Sequence, residues 1–356
     1  MSQPIEGFLP QGKIIYNVEE IQRFNQEFPR DFIRLHKNEN PMVIDKLTLY
    51  RIGRILRKEL VYQYHDLKEI YEVIQKKYSL NLENFILTAG SDLGLKAIYE
   101  LFTSENSSVL VPEYRYAMHD VYTKLNGTKL IEYTLDGESG TTVNNILIKL
   151  DKKIDILFIE SPNGTSGEIL SQDDLENLSR KCKDNNCLLV IDECYAQIKN
   201  NYLEVSAFDN VLSLRSFSKN LGLAGVRAGM VVGHSNFLDF LHKIKPMHEI
   251  SSFTAEVLKI VLKKDPTRIR SRILRNTHLL CKFLSKNAII YKTTNANFIL
   301  LKESKNRNSL HEYLLENKIV IPKQVKTGYL RDFYRISIGK KKDIKRLIQM
   351  LRKYLA

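Results

Sequence analysis

The feature that most constrains the fold of this chain is an alternation of short apolar runs with amphipathic stretches through residues 85–232. Most runs are almost continuously apolar, which is typical of parallel strands covered on both faces. Alternating strands and helices predict a doubly wound α/β layer. The predicted strands are 85–88, 108–111, 154–159, 188–191, 211–214 and 229–232.

The amphipathic stretches predict helices between these strands. Their apolar residues recur at the three- and four-residue spacing of one helical face. The first stripe consists of Leu93, Ala97, Ile98, Leu101 and Phe102, and the second of Leu175, Leu178 and Cys182.

The pattern changes after Pro246. Two helical stretches then lead into shorter strand candidates at 289–301, 319–322 and 334–338, and an amphipathic helix closes the chain. This order predicts a second, smaller α+β domain. We therefore expect three parts: a segment at 1–45 that packs with the small domain or a neighbouring subunit, a large domain at 46–246, and a small domain at 247–356.

The composition narrows the class of protein. A hydrophobic fraction of 43% and a charged fraction of 27% are ordinary for a globular chain. No apolar run approaches the roughly 20 residues of a membrane helix, and residues 1–12 lack the apolar core of a secretory signal. The 4 cysteines form no C-x-x-C pair, so we expect reduced thiols in the cytoplasm and no metal site.

The net charge of +13 admits nucleic acid or an anionic small molecule as a partner. The lysines and arginines are scattered, and the densest run, 340–353, has apolar residues at helical spacing. We therefore expect the charge to favour solubility and phosphorylated ligands, with no nucleic-acid or membrane partner. A basic nucleic-acid or regulatory binder is the alternative that the charge alone supports.

Two short motifs directly follow predicted strands. In the first, at 88–92, Gly90 lets the backbone approach a ligand, and the N–H groups of Ser91 and Asp92 favour a phosphate. In the second, Asp192 stands where ligands of open α/β sheets bind, and it could pair with a pyridinium nitrogen while Tyr195 donates a hydrogen bond. A helix cap and a loop start explain either motif alone equally well.

A longer motif at 216–229 follows the strand at 211–214. It combines two serines, Ser216 and Ser218, with Lys219, several glycines and Arg227. This set suits a phosphorylated cofactor that is held covalently: the lysine forms an imine, and the hydroxyls and the forked guanidinium bind phosphate oxygens. A surface lysine in a lysine-rich chain does not account for the whole set.

The 216–229 stretch resembles the lysine motif of fold-type I aminotransferases, which use pyridoxal 5'-phosphate, and most closely their histidinol-phosphate aminotransferase branch. The resemblance covers about residues 35–355 and implies a fold-type I architecture, with a mixed, mostly parallel sheet in the large domain. Further segments agree in order: Asn-Glu-Asn-Pro at 38–41, Tyr-His-Asp at 64–66, Gly-Ser-Asp at 90–92, the Val-Pro-Glu segment at 111–116 and Arg-Ile-Ser-Ile-Gly at 335–339.

The resemblance implies a role for each matching residue. Lys219 would form the Schiff base and move the substrate proton, Asp192 would keep the pyridine nitrogen protonated, and Tyr195 would hydrogen-bond the phenolic oxygen. The implied cofactor-binding residues are Gly90, Ser91, Asp92, Tyr116, Asn163, Asp192, Tyr195, Ser216, Ser218, Lys219, Arg227 and Tyr64.

The substrate-binding residues implied by the resemblance are Arg335, Asn38 and Tyr64. Arg335 would hold the carboxylate or phosphate of the substrate. Tyr64 would reach the cofactor phosphate from the other subunit, which implies a homodimer with active sites at its interface.

The chain departs from the family pattern at two places. Where the family has Asn-Pro-Thr-Gly, Gly164 occupies the asparagine position and Asn163 lies one residue earlier. In the family that asparagine contacts the phenolic oxygen. Pro322 stands where the histidinol-phosphate enzymes carry a phosphate-binding arginine, for which Lys323 or Arg331 could compensate.

The sequence therefore predicts an aminotransferase that passes an amino group from an acid such as L-glutamate to a small phosphorylated ketone or aldehyde, giving a product such as histidinol phosphate or serinol phosphate. The alternative is a decarboxylase of a phosphorylated amino acid, of the threonine-phosphate type.

Overall fold

The computed structural model describes residues 28–56, 59–64, 66–137, 139–150, 153–198, 201–302 and 309–355. Most of the predicted segment 1–45 and His65 lie outside these residues. The helices are α1 (Lys46–Arg54), α2 (Glu59–Tyr62), α3 (Lys68–Tyr78), α4 (Ser91–Phe102), α5 (Met118–Leu125), α6 (Ser139–Leu150), α7 (Gln172–Asp184), α8 (Ser235–Ile244), α9 (Ser252–Leu262), α10 (Pro266–Lys286), α11 (Leu310–Glu316) and α12 (Lys341–Leu355).

The strands form three sheets, the largest of which has seven strands in the order β2-β8-β7-β6-β5-β3-β4. Strand β8 runs antiparallel to both of its neighbours, and the other pairings are parallel. The strands are β1 (Ile33–Arg34), β2 (Phe85–Thr88), β3 (Ser108–Pro112), β4 (Lys129–Tyr133), β5 (Ile156–Glu160), β6 (Leu188–Asp192), β7 (Val211–Ser216), β8 (Gly229–Gly233), β9 (Tyr291–Thr293), β10 (Phe298–Lys302), β11 (Ile319–Val320) and β12 (Phe333–Ser337).

The six strands predicted from apolar runs are all present, and the mixed, mostly parallel α/β sheet is confirmed. Strand β4 was missed because it lies at the sheet edge, where its alternation of exposed and covered residues leaves no continuous apolar run. The predicted strand at 289–301 is in fact an antiparallel pair, β9 and β10, joined by a turn that contains Asn295 and Asn297.

The helices cover the sheet on both faces. Ser171 caps α7 by accepting a hydrogen bond from the Asp174 N–H at 3.1 Å. The apolar stripe predicted for α7 is buried. The predicted stripe of α4 is displaced: only Ile98 of it is fully buried, because the face toward the sheet also includes Gly94, Leu95 and Tyr99. Other residues of the stripe contact α8 instead, where the rings of Phe102 and Phe237 lie 5.7 Å apart.

Two smaller sheets lie beside the main one. Strands β12, β10 and β9 form an antiparallel sheet, and β1 pairs in parallel with β11. Helix α12 buries its predicted apolar face at Ile344, Leu347, Ile348 and Leu351.

The four strands β3, β5, β6 and β7 run in one direction, so their carboxyl ends share one edge of the sheet. Three of these strands end in polar residues there, namely Glu160, Asp192 and Ser216. Open α/β sheets bind ligands at this edge. Within the described ranges, no helix has the length and apolar character needed to cross a bilayer.

Candidate active site

A cleft of about 350 Å³ opens at the carboxyl edge of the main sheet. The chain segment before α1 and strand β12 contribute to its walls through His36, Lys37 and Arg335. Ten residues predicted from the sequence line it: Ser91, Asp92, Tyr116, Asp192, Tyr195, Ser216, Ser218, Lys219, Arg227 and Arg335.

Lys219 follows β7 in a loop that is anchored by backbone hydrogen bonds. Phe217 N donates to Ala228 O at 3.1 Å, and its ring is fully buried. The Lys219 ammonium donates to the Lys37 carbonyl at 2.9 Å and lies 5.9 Å from the centre of the Tyr195 ring. The lysine nitrogen is therefore held at the cleft beside Tyr195.

Asp192 and Glu193 are adjacent in sequence but lie in different surroundings. Asp192 lines the cleft, where its Oδ1 accepts a hydrogen bond from Cys194 N at 2.9 Å and burial raises its pKa. Glu193 points into the protein and forms a buried ion pair with Arg215 at 2.8 Å. A desolvated carboxyl such as Asp192 gains stability from a cationic partner, which a protonated ring nitrogen supplies.

The hydroxyl of Tyr195 is fixed by Asn38. Asn38 Nδ2 donates to the Tyr195 oxygen at 3.0 Å, so the tyrosine proton is free to point toward another acceptor. Asn38 is fully buried, and its Oδ1 accepts from Ser337 Oγ at 2.8 Å. It thus lies behind Tyr195 rather than in the cleft lining.

The Arg227 end of the cleft combines a guanidinium with hydroxyls. Arg227 pairs with Asp92 at 2.9 Å and lies next to Gly90, where a Cβ would come within 2.7 Å of Arg227 Nη2. Ser91, Ser216 and Ser218 line the same cleft. Together with the free N–H groups at the start of α4, these donors suit a phosphate.

Arg335 is held by two backbone carbonyls. Its Nη1 donates to Gly164 O at 2.6 Å and its Nη2 to His36 O at 2.9 Å. Burial and three neighbouring cations lower the pKa of His36 to about 4, so this imidazole is neutral at pH 7. His36 was not predicted, because it stands outside the recognised motifs.

Asn163 does not reach the cleft. Its fully buried amide donates to Tyr114 O at 2.6 Å, and its Oδ1 accepts from the N–H groups of Thr165 and Ser166. The side chain therefore links its own loop to the Tyr114 loop and to Glu160, and Gly164 lines the cleft in its place.

Glu160 is a cleft residue that the sequence reasoning missed. Its carboxylate accepts hydrogen bonds from Tyr116 N at 2.7 Å and Gly164 N at 2.9 Å. Burial, reinforced by the charge of Asp192, raises the pKa of Glu160 to about 7. The rule that singled out Asp192, a carboxylate at the carboxyl end of a buried strand, applies equally here and would have found it.

Three further sequence-predicted positions lie outside the cleft of this chain. Tyr64 is 81% exposed and stacks on His248 with a 3.9 Å separation of ring centres. Lys323 and Arg331, which could compensate for Pro322, are both exposed on the surface.

The family model for "Aminotransferase class I and II" matches residues 46–351 of the chain. The chain belongs to this family. It is therefore a transferase whose cofactor is pyridoxal 5'-phosphate, as the family resemblance predicted, and Asp192, Lys219 and Arg227 provide suitable groups for that cofactor.

Two curated relatives cover most of the chain. It is 28% identical over 336 residues to the histidinol-phosphate aminotransferase of Clostridium kluyveri, covering 91% of this chain and 93% of that protein. It is 28% identical over 339 residues to the enzyme of the same name from Pelagibacter ubique, covering 91% and 92%.

The fold is also that of solved structures. One is the histidinol-phosphate aminotransferase of Sinorhizobium meliloti in complex with pyridoxal 5'-phosphate, with a TM-score of 0.81 and 17% identity over 100% of this chain and 98% of that chain. This likeness confirms the predicted fold-type I architecture.

Proposed function

We propose that this chain moves an amino group from an amino acid such as L-glutamate to a small phosphorylated ketone or aldehyde. The observation that carries the proposal is the placement of three basic side chains around one cleft: Arg227 among serines, Lys219 at the strand edge and Arg335 at the Gly164 wall. One guanidinium is available for the cofactor phosphate, and the second for an anionic group of the substrate.

The names of the relatives support a phosphorylated acceptor. Imidazole-acetol phosphate and dihydroxyacetone phosphate are candidates, and their products would be histidinol phosphate and serinol phosphate. Pro322 replaces the phosphate-binding arginine of the histidinol-phosphate aminotransferases. The smaller ketone, dihydroxyacetone phosphate, should therefore be tested as well.

When bound, the cofactor supplies a ring that withdraws electrons from the substrate α-carbon. Lys219 Nζ would hold the cofactor and, when free, would serve as the base that takes and returns the substrate α-proton. Asp192, the carboxyl at the end of β6, would stabilise a protonated ring nitrogen, because a buried carboxyl gains from a cationic partner.

The remaining residues orient the reactants. Tyr195 would donate its hydroxyl proton to the ring oxygen, since Asn38 already donates to the tyrosine oxygen. Tyr116 provides an aromatic face at the cleft. Arg335 would bind the anionic group of the substrate and orient the substrate in the cleft, because two backbone carbonyls fix its guanidinium.

The test is a panel of acceptors added to the amino-loaded enzyme. We expect phosphorylated ketones to accept the amino group, and their dephosphorylated forms to react at least about a hundredfold more slowly, because they leave a guanidinium without its anion. Equal rates with both forms would contradict the proposed substrate class.

The decarboxylase alternative is tested in the same preparation. Release of carbon dioxide from O-phosphothreonine or O-phosphoserine, without formation of a keto acid, would replace the aminotransferase proposal. The variant Lys219→Ala should be inactive in either reaction and serves as the blank.

A further inference from the structure

The wall of the cleft around Gly164 departs from the family pattern. Gly164 stands at the place of an asparagine, and the neighbouring amide of Asn163 is fully buried and bonded to Tyr114 O, to Glu160 and to the N–H groups of its own loop. Neither residue therefore presents an amide to the cleft. The carboxyl group of Glu160 does line the cleft at this point.

The space that a side chain at position 164 would enter is already filled. A Cβ on Gly164 would lie 3.3 Å from Tyr195 Cε2, 3.4 Å from Glu160 Oε2 and 3.7 Å from the Tyr195 hydroxyl. An asparagine amide would extend further into these atoms. The glycine and the glutamate are thus complementary: the small residue makes room for the carboxyl beside Tyr195.

The carboxyl is fixed in this position by three donors on two loops. Tyr116 N donates to Oε1, and Gly164 N and Asn163 Nδ2 donate to Oε2 at 2.9 and 3.1 Å. Asp192 lies directly opposite on the neighbouring strand and disfavours a second negative charge, while Arg335 favours it. The titratable and charged groups around it are Asp192, Arg335, Tyr116, Tyr133 and Tyr195.

We propose that Glu160, in its protonated form, donates a hydrogen bond to the ring oxygen of the cofactor beside Tyr195, in the place that the family gives to an asparagine. A carboxylic acid has one O–H to donate, as an amide has N–H groups. Oε2 already accepts two N–H groups, whereas Oε1 accepts only that of Tyr116, so Oε1 is the oxygen that would carry the proton. This assignment rests on the proposed function, in which Asp192 and Tyr195 bind the cofactor ring.

The assignment makes the cofactor environment depend on pH in a particular way. Burial raises the pKa of Glu160 to about 7, so we expect the carboxyl to lose its proton close to neutral pH. A neutral donor stabilises negative charge on the ring oxygen, whereas a carboxylate opposes it. The absorbance of the lysine-bound cofactor should therefore titrate in two coupled steps rather than one.

The experiment is a pH titration of that absorbance, from pH 5 to 10, with the holoenzyme. Glu160→Gln keeps the shape and a donor but cannot ionise, so we expect a single step with its midpoint shifted to lower pH by about one unit, corresponding to a tenfold change. Glu160→Ala removes the donor, and we expect it to weaken cofactor retention roughly tenfold or more.

A rescue variant separates this role from a structural one. The double variant Glu160→Ala with Gly164→Asn vacates the carboxyl site and restores the family residue, so it should recover cofactor retention and titrate in one step. Glu113→Gln is the matched control: that carboxyl accepts Leu135 N at 2.9 Å but does not line the cleft, and the titration should match the wild type.

The outcomes are distinguishable. If both Glu160→Gln and Glu160→Ala still show the lysine-bound band and titrate like the wild type, the role of Glu160 is overturned. The proposed function is not affected by that outcome. Absence of that band from the wild type after incubation with pyridoxal 5'-phosphate would overturn the proposed function as well.

Discussion

At the scale of single residues, the site depends on side chains that differ sharply in their surroundings although they are neighbours in the chain. The clearest pair is Asp192 and Glu193. The first faces the cleft, and the second is fully buried against Arg215. Sequence reasoning identified the motif and assigned its chemistry to Asp192, but the separation of the two carboxyls is visible only from the direction of each side chain at the end of β6.

Replacement of these two carboxyls should have opposite consequences. Glu193→Ala leaves Arg215 buried without its partner and should lower the free energy of unfolding by about 3–5 kcal/mol. Asp192→Asn should abolish most activity without destabilising the cofactor-free protein. Urea unfolding and turnover of both variants test this, and a stable Glu193→Ala protein would contradict the role of the ion pair.

Asn38 illustrates a residue whose predicted role changes with its geometry. The resemblance placed it among the substrate-binding residues, whereas its Nδ2 donates to the Tyr195 hydroxyl from behind. If Asn38 acts through Tyr195, Asn38→Ala should reduce kcat roughly tenfold in the wild type but much less in a Tyr195→Phe background. Equal effects in both backgrounds, measured in a double-mutant cycle, would assign Asn38 an independent role.

At the scale of elements, apolar runs predicted the six central strands because those strands are covered on both faces. The same rule failed at β4, which is an edge strand, and at the β9–β10 pair, where a turn interrupts the run. The residues that approach one another across elements, such as Glu160 and Asp192 at the ends of β5 and β6, follow from strand order. Strand order is not encoded in any local pattern.

Glu160 and Asp192 at the adjacent ends of β5 and β6 should make the stability of the cofactor-free protein depend on pH. Burial raises the pKa of Glu160 from 4.5 to about 7, so the unfolded chain releases this proton at lower pH than the folded one. The Glu160 contribution to stability therefore falls as pH rises from about 4 to about 7. The stability of Glu160→Gln relative to the wild type should therefore increase by about 3 kcal/mol between pH 4 and pH 8.

Thermal or urea unfolding at both pH values measures this difference. The exposed carboxyl of Glu176 on α7 offers a control, because Glu176→Gln should leave the pH dependence unchanged. A Glu160→Gln protein with the stability profile of the wild type would show that the carboxyl is not penalised by burial.

At the scale of the whole molecule, the cleft joins parts that are distant in the chain. His36 and Lys37 precede α1, Arg335 lies on β12, and the other walls come from the main sheet. The division into domains at 46–246 and 247–356 is our proposal for how these parts are organised. The family resemblance could predict this arrangement, because its motifs are distributed over nearly the full chain. Charge and composition could not predict it.

The homodimer predicted from Tyr64 has a direct test. Tyr64 is strongly exposed. Val61, which lies in α2, and Met247, which lies before α9, are strongly exposed as well. If Tyr64 serves the partner's site, mixing Lys219→Ala with Tyr64→Ala subunits should create one intact site per mixed dimer. Activity should then recover to about a quarter of the wild-type value after subunit exchange, as random pairing gives.

Two inactive proteins that stay inactive after verified exchange would instead place Tyr64 and Lys219 of one chain in the same site. Sedimentation of the wild type at the same concentration provides the necessary control for dimer formation.

The central claim is that Lys219 holds pyridoxal 5'-phosphate in a cleft built for amino transfer. The most direct measurement is the absorbance of the purified holoenzyme before and after addition of excess L-glutamate without an acceptor. We expect loss of the lysine-bound band, with formation of pyridoxamine phosphate and one 2-oxoglutarate per site. A spectrum that stays unchanged with glutamate and with every other amino acid donor would contradict it.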